Sequence, residues 1–271
     1  MFFAVDNEKC IQDNICVDEC PAKILSMEGD GPVMVEGGEE ICIRCGHCVA
    51  VCPVEAVGLD FLKPEDCIDI DKSLLPNEEQ AHHFLTSRRS IRTYSKKNLP
   101  KEIIEKVLAV ASCAPTGSNR QPVKWLVFHQ REQVEAIAAH VIDWMKYVVV
   151  NHPEVAATMN MQKIIDDAAN GIDRICRDAP HLVFTYSAKE FSVAPADCHT
   201  AIAYLELLLP VYGAGSCWAG YVNGASNQWP PLKEYLKLPE DHLVHGAAMI
   251  GYPEYEYYRI PPRNQPNIEY R

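Results

Sequence analysis

Two short runs of this 271-residue chain could bind inorganic chemistry directly. The first is Cys42-x-x-Cys45-x-x-Cys48-x-x-x-Cys52-Pro53. A looping backbone with this spacing aims three thiolates at one face of a cubane iron–sulfur cluster, and the cysteine before proline points elsewhere. The second run, Cys10-x-x-Asp13-x-x-Cys16-x-x-x-Cys20-Pro21, has the same spacing with aspartate in the second slot. Disulfides would need an oxidising compartment. The N-terminus does not read as a secretory leader, because Phe2 and Phe3 are followed at once by Asp6, Glu8 and Lys9. Zinc sites usually pair two well-separated C-x-x-C units, which does not explain two overlapping four-position runs.

Over about its first 60 residues the chain resembles the two-cluster bacterial ferredoxins, in the spacing and in both Cys-Pro endings. The crossed ligand pattern of that family then assigns Cys42, Cys45, Cys48 and Cys20 to one cluster, an ordinary 4Fe-4S centre. It assigns Cys10, Cys16 and Cys52 to the other. Asp13 either ligates the fourth iron there, or stands in a solvated loop beside a 3Fe-4S centre. Both outcomes occur in ferredoxins that resemble this one.

A second constellation lies further along. Arg88-Arg89-Ser90-Ile91-Arg92-Thr93-Tyr94 is a basic cluster with a hydroxyl, suited to a phosphate. Ala114-Pro115-Thr116-Gly117-Ser118-Asn119-Arg120-Gln121-Pro122 is a polar loop whose amides carry both donors and acceptors. Tyr212-Gly213-Ala214-Gly215-Ser216-Cys217-Trp218 has glycines that permit close approach of a planar ring. Gly251-Tyr252-Pro253 precedes Arg259-Ile260-Pro261-Pro262-Arg263. In this order and spacing the four pieces resemble the nitroreductase-like FMN oxidoreductases over about residues 78–266. The resemblance implies an α+β fold, a sheet flanked by helices, in an obligate homodimer with FMN in a cleft at the dimer interface. It assigns Arg88, Arg89, Ser90 and Arg92 to the FMN phosphate and ribityl chain, with Arg263 and Arg259 as later phosphate ligands. It places Ser118, Asn119 and Gln121 near the flavin or its ribityl chain. It sets Gly213, Ala214, Gly215 and Ser216 beside the ring. Residues 131–178 fall where members of the family differ most, in the region that shapes their substrate pocket. FMN carries the chemistry, so no catalytic side chain is assigned.

The elements that must position these residues divide into domains at 1–61 (ferredoxin-like), 62–77 (linker) and 78–271 (nitroreductase-like). In the first, Ile24–Met27 pairs with Met34–Glu36 across Gly29-Asp30-Gly31-Pro32. The acidic linker carries Pro64 and Pro76, with Ile68 and Ile70 expected to pack on a neighbour. Beyond it the patterns predict helices over 78–87, 101–112, 132–149, 154–177 and 196–209, and strands over 123–129, 182–186, 216–222 and 244–250.

Charge is uneven. The net −12 is concentrated in residues 1–61, with 12 acidic and 3 basic groups, which excludes nucleic acid as a natural partner. No apolar run approaches a spanning length, since Ala201–Ala214 is interrupted by Glu206 and Pro210. The five cysteines outside the runs read as buried free thiols in a reducing cytoplasm, Cys113 and Cys217 among them as small packed residues. His82 and His83 are adjacent and face different ways on a helix. The leading function is an iron–sulfur flavoprotein enzyme. An external low-potential donor such as ferredoxin reduces a cluster, and electrons reach FMN and reduce a nitro, quinone or enone-like acceptor; NAD(P)H is the other donor, passing hydride directly to the flavin. The alternative is a non-catalytic relay or redox sensor.

Overall fold

The computed structural model describes residues 1–271 and divides the chain into two units by its internal contacts. One is Met1–Leu75 with Ser118–Arg120, and the other is Pro76–Gly117 with Gln121–Arg271. No helix is long and apolar enough to cross a membrane.

The first unit contains β1 (Phe3–Val5), α1 (Ile15–Glu19), β2 (Leu25–Glu28), β3 (Gly31–Met34), α2 (Gly38–Ile41), α3 (His47–Ala50) and β4 (Val57–Leu59). β1 pairs antiparallel with β4, Phe3 opposite Leu59. The β2–β3 hairpin is the expected pair with a tighter turn: Glu28 faces Gly31, so Gly31 and Pro32 belong to the strand. Its core is Phe3, Cys16, Cys20, Ile24, Leu25, Val49, Val57 and Leu59.

The two cysteine runs are copies in backbone as well as spacing. Asn14 (φ 63°) and Gly46 (φ 72°) are both left-handed, as are Gln12 and Arg44, and Lys23 and Glu55. The amides of Val17 and Asp18 donate to the Asn14 carbonyl, and those of Val49 and Ala50 donate to the Gly46 carbonyl. Each pair is offset by the same spacing as the ligand slots, so Asp13 occupies the slot that Cys45 fills in the other copy.

The packing expected of the linker needs correction. Residues up to Leu75 group with the first unit, in two 3-10 turns, Pro64–Asp66 and Lys72–Leu74. Ile68 and Ile70 do not pack on the chain; they are 95% and 80% exposed. Short polar caps, such as the Lys63 amide donating to Asp66, hold these turns without an apolar anchor.

The second unit contains α4 (Glu78–Ser87), α5 (Lys101–Ala111), β5 (Lys124–Phe128), α6 (Arg131–Asn151), α7 (Pro153–Thr158), α8 (Met161–Ala169), β6 (His181–Ala188), α9 (Ala194–Leu208), β7 (Gly215–Trp218), α10 (Gly220–Gln228), α11 (Pro230–Leu236) and β8 (His242–Gly251). The sheet is antiparallel in the order β5-β6-β8-β7. β6 is buried on both faces. Its Leu182 and Phe184 join the core formed with α6, α8, α10 and α11, while Val183 joins that of α5 and α9. This is the expected α+β sandwich, a sheet flanked by helices.

Two element assignments fail locally. The helix expected over 154–177 breaks at Asn160, which is left-handed (φ 51°), and ends at Ala169 before Asn170-Gly171. The strand expected over 216–222 stops at Trp218. From Gly220 the chain is helical, burying Val222 and Ala225 three residues apart.

Candidate functional site

In the first unit a cavity is lined by Cys20, Cys42, Cys45 and Cys48, the four thiols assigned to one cluster, among Phe3, Ile24 and Leu25. No three Cys, His, Asp or Glu side chains converge on a point as one metal ion requires. Thiols set apart around a cavity suit the corners of a cluster. Burial, with Cys45, Cys20 and Cys42 adding to it against a backbone hydrogen bond at Val49, pushes the Cys48 thiol up to about 11. The Cys16 thiol is raised by burial and by its neighbour Cys52, with lesser contributions from Asp13 and Cys10. Cys48 thus neighbours Cys20, Cys42 and Cys45, and Cys16 neighbours Cys10, Asp13 and Cys52. Thiols that ligate iron do so as thiolates and release protons on binding. Asp13 is exposed and its Oδ1 accepts the Ile15 amide at 3.2 Å.

In the second unit, three of the four sequence pieces are knitted together. The Ile91 amide donates to the Ser216 carbonyl at 2.8 Å, joining the basic segment to β7. Gly215 is required there: a Cβ would lie 2.3 Å from Ile91 Cγ1. Tyr94 bridges Pro253, the Ser95 amide donates to the Tyr252 carbonyl, and the Glu254 amide donates to the Thr93 carbonyl. The Tyr94 hydroxyl is buried and donates to the Met249 carbonyl at 3.3 Å, and that burial pushes its pKa up, keeping it neutral. Arg88 and Arg89 are half-buried, with Ser90 beside them, and Arg92 is exposed. Gly213 is exposed and left-handed, whereas Ala214, Gly215 and Ser216 are buried within the chain.

The loop 114–122 lies at the opposite end of α9. There the Gly117 amide donates to Asp197 Oδ1 at 3.0 Å, and the Gln121 amide donates to Thr116 Oγ1 at 3.0 Å. Ser118, Asn119 and Gln121 all have positive φ. Asn119, grouped with the first unit, donates from Nδ2 to the Arg44 carbonyl at 2.9 Å. Asp197 and Glu206 are nine residues apart on α9, so the Gly117 and Ser216 anchor points stand about 14 Å apart along its axis. Arg259 and Arg263 lie in the exposed stretch 254–271. That stretch has no regular structure.

Sequence reasoning missed two residues of this region. Asp197 is 6% exposed and anchors the loop. Glu206 read only as an interruption in an apolar run. It accepts Ser216 Oγ–H at 3.2 Å and Trp218 Nε1–H at 3.0 Å, and faces Arg88 Nη1 at 3.6 Å. The available signal was a lone carboxylate in an otherwise apolar helix. Of the other cysteines, Cys176, Cys198 and Cys217 are buried as expected, while Cys67 and Cys113 are exposed. Cys113, expected to be packed, sits just past the end of α5, facing outward.

Two cluster-ligand sets on one unit and an α+β sandwich on the other define a redox protein. The Nitroreductase family matches residues 85–252, and the 4Fe-4S dicluster domain matches residues 3–53. The chain belongs to the nitroreductase family and is an oxidoreductase of that family with an N-terminal 4Fe-4S dicluster domain. A protein of Archaeoglobus fulgidus named for NADH dehydrogenase and NAD(P)H nitroreductase is 27% identical over 195 residues. That alignment spans 71% of this chain and 98% of the relative. An iodotyrosine deiodinase of Haliscomenobacter hydrossis is 23% identical over 194 residues, 67% of this chain and 83% of the relative. Among solved structures, a nitroreductase with bound FMN from Bacteroides fragilis shares the fold. Its TM-score is 0.56 at 20% identity, covering 72% of this chain and 100% of that one.

Proposed function

We propose that this chain is an iron–sulfur flavoprotein that takes electrons from an external low-potential donor and reduces a nitro, quinone or enone-type small molecule. The observation that supports the reading is a cavity lined by Cys20, Cys42, Cys45 and Cys48 in a 4Fe-4S dicluster domain, on a chain whose other unit is a nitroreductase fold. One cluster takes Cys20, Cys42, Cys45 and Cys48. The other takes Cys10, Cys16 and Cys52, with Asp13 as its fourth ligand or as the neighbour of a 3Fe-4S centre.

FMN, when bound, supplies two-electron reduction fed by single electrons. The residues that would hold it are Arg88, Arg89, Ser90 and Arg92 at the phosphate and ribityl chain, beside Gly213. Arg88 is half-buried, and the guanidinium donors other than the Nη1 that faces Glu206 fit an anion. Ser118, Asn119 and Gln121 stand at the other end of α9, and Arg259 and Arg263 lie in the exposed C-terminal stretch. A homodimer accounts for this arrangement, because a second copy can supply the groups that one chain holds apart. The domain limits proposed are 1–61 and 78–271, with 62–77 between them.

Anaerobic reduction of the purified protein with NADH, NADPH and reduced ferredoxin in parallel, followed by a panel of nitro, quinone and enone acceptors, tests the proposal. The expected result is bleaching of both cluster and flavin absorbance by reduced ferredoxin, with turnover of at least one acceptor class. A flavin that exchanges electrons with a protein partner but turns over no small acceptor would make the chain a relay instead.

A further inference from the structure

The cofactor pocket read above contains a carboxylate that a pocket for a doubly charged phosphate does not obviously need. Glu206 is 12% exposed on α9, and Arg88, just past the end of α4, is 24% exposed. Their atoms stand 3.6 Å apart, yet Arg88 Nη1 is shut off from solvent and makes no hydrogen bond. A pair built for stability alone would close into the parallel two-bond geometry of guanidinium and carboxylate. Here the carboxylate spends its hydrogen bonds elsewhere, on the Ser216 hydroxyl and the Trp218 indole, both of β7. Glu206 is thus fixed by two neutral donors and faces Arg88 as a charge without gripping it.

This arrangement has a physical consequence. An arginine partly removed from water is costly without a counter-charge, and a carboxylate behind it offsets that cost. A guanidinium has five N–H donors, and those not facing Glu206 remain for another anion. The backbone fixes the same geometry independently, since the Ile91 amide is bonded to the Ser216 carbonyl. Arg88 is therefore tied to β7 twice, through the backbone of its segment and through Glu206.

We propose that Glu206 is a positioning residue that holds the Arg88 guanidinium from behind and so orients it toward the phosphate of FMN. This rests on the reading of Arg88 as a phosphate ligand. Trp218 and Ser216 act one step further back, by fixing the carboxylate.

The test is a double-mutant cycle on FMN affinity in the full-length protein stripped of FMN, with E206Q, R88A and the double variant measured by flavin fluorescence. Glutamine keeps the size of the side chain and an oxygen for Ser216 or Trp218 but removes the charge. E206Q should weaken FMN binding about tenfold when Arg88 is present and less than about twofold in the R88A background. Inorganic phosphate, used as a competitor, should lose potency in parallel. Equal losses in both backgrounds would show that Glu206 acts on the fold rather than through Arg88. Tighter binding by E206Q would show that Glu206 competes with phosphate for Arg88. Either result overturns the proposal. If R88A itself leaves FMN affinity unchanged, the phosphate assignment fails, and the role of Glu206 fails with it. If E206Q does not fold, as judged by near-ultraviolet circular dichroism, W218F replaces it in the same cycle. W218F removes one donor to the carboxylate, and its effect should likewise vanish in the R88A background.

Discussion

Some single side chains here are set in one protonation state by their neighbours. His181 is fully buried. Its Nε2 accepts the Leu99 amide at 2.9 Å, and its Nδ1 donates to the His129 carbonyl at 2.8 Å. His129 stacks on it with ring centroids 4.4 Å apart and donates from Nε2 to the Leu99 carbonyl. Both polar groups of Leu99 are thus taken by the two rings, which fixes the chain just before α5. Burial holds His181 down to about 4, because a charged ring would lose its water and turn its acceptor into a donor against the Leu99 amide. In the unfolded chain the ring takes up its proton near its ordinary value of about 6.5. Between those values the unfolded state binds more protons, so stability falls as pH drops from about 6.5 to 4, by about 3 kcal/mol from this residue. Urea midpoints of the wild-type protein should decline over that window, and His181→Asn should show a shallower decline from a lower midpoint at pH 7. Equal slopes would remove His181 as the cause. None of this was legible in the sequence, because the partners of His181 come from residues 52 and 82 positions away. The cysteine slots were legible for the opposite reason. Their geometry is set by local backbone, and the spacing alone carries it.

At the scale of elements, α9 organises the second unit. Its first turn carries Asp197, whose charge is favoured at a helix N-terminus, and the same carboxylate takes the Gly117 amide. Gly117 has no room for a side chain, since a Cβ would lie 2.8 Å from Val193 Cγ2. Asp197 is therefore one of the points that hold the loop 114–122 down. Asp197→Ala should release it, weakening FMN retention by about five- to tenfold, with loss of a hydrogen bond to a charged acceptor as the cause. Asp197→Asn, which keeps the oxygen, should recover most of that loss. Hydrogen exchange at residues 114–122 should rise in the alanine variant while that of β6 stays unchanged; unaltered exchange in the loop would refute the anchoring role. Apolar periodicity found α4, α5 and α9 because each has a continuous face or a clear cap, such as the Asn77–Gln80 capping box. It failed at 216–228, where aromatic and β-branched residues suggested a continuing strand. There Val222 and Ala225, one helical turn apart, held the true period.

For the whole molecule, the two units have separate cores, and the chain passes between them near Leu75 and Pro76. A chain beginning at Pro76 should fold and bind FMN, since its core and its basic segment lie wholly beyond that point. It should lose turnover driven by reduced ferredoxin while keeping any hydride transfer from NAD(P)H. Full ferredoxin-driven activity in the shortened chain would mean that the clusters do not feed this flavin. The existence of two units was readable from composition, because the cysteine runs end at Cys52, but the acidic character continues through the linker and does not mark the division at Leu75 and Pro76. The exposure of Ile68 and Ile70 was not readable, because apolar side chains in an acidic stretch look like anchors until their surroundings are known. The twin backbones of the cysteine runs have one more consequence. A left-handed residue precedes a short helix in each half, and the halves differ at the second slot by one side chain, Asp13 against Cys45. The asymmetry of the pair is therefore portable. A chain carrying Cys at 13 and Asp at 45 should exchange the two ligand slots, moving the aspartate to the other run on an unchanged scaffold.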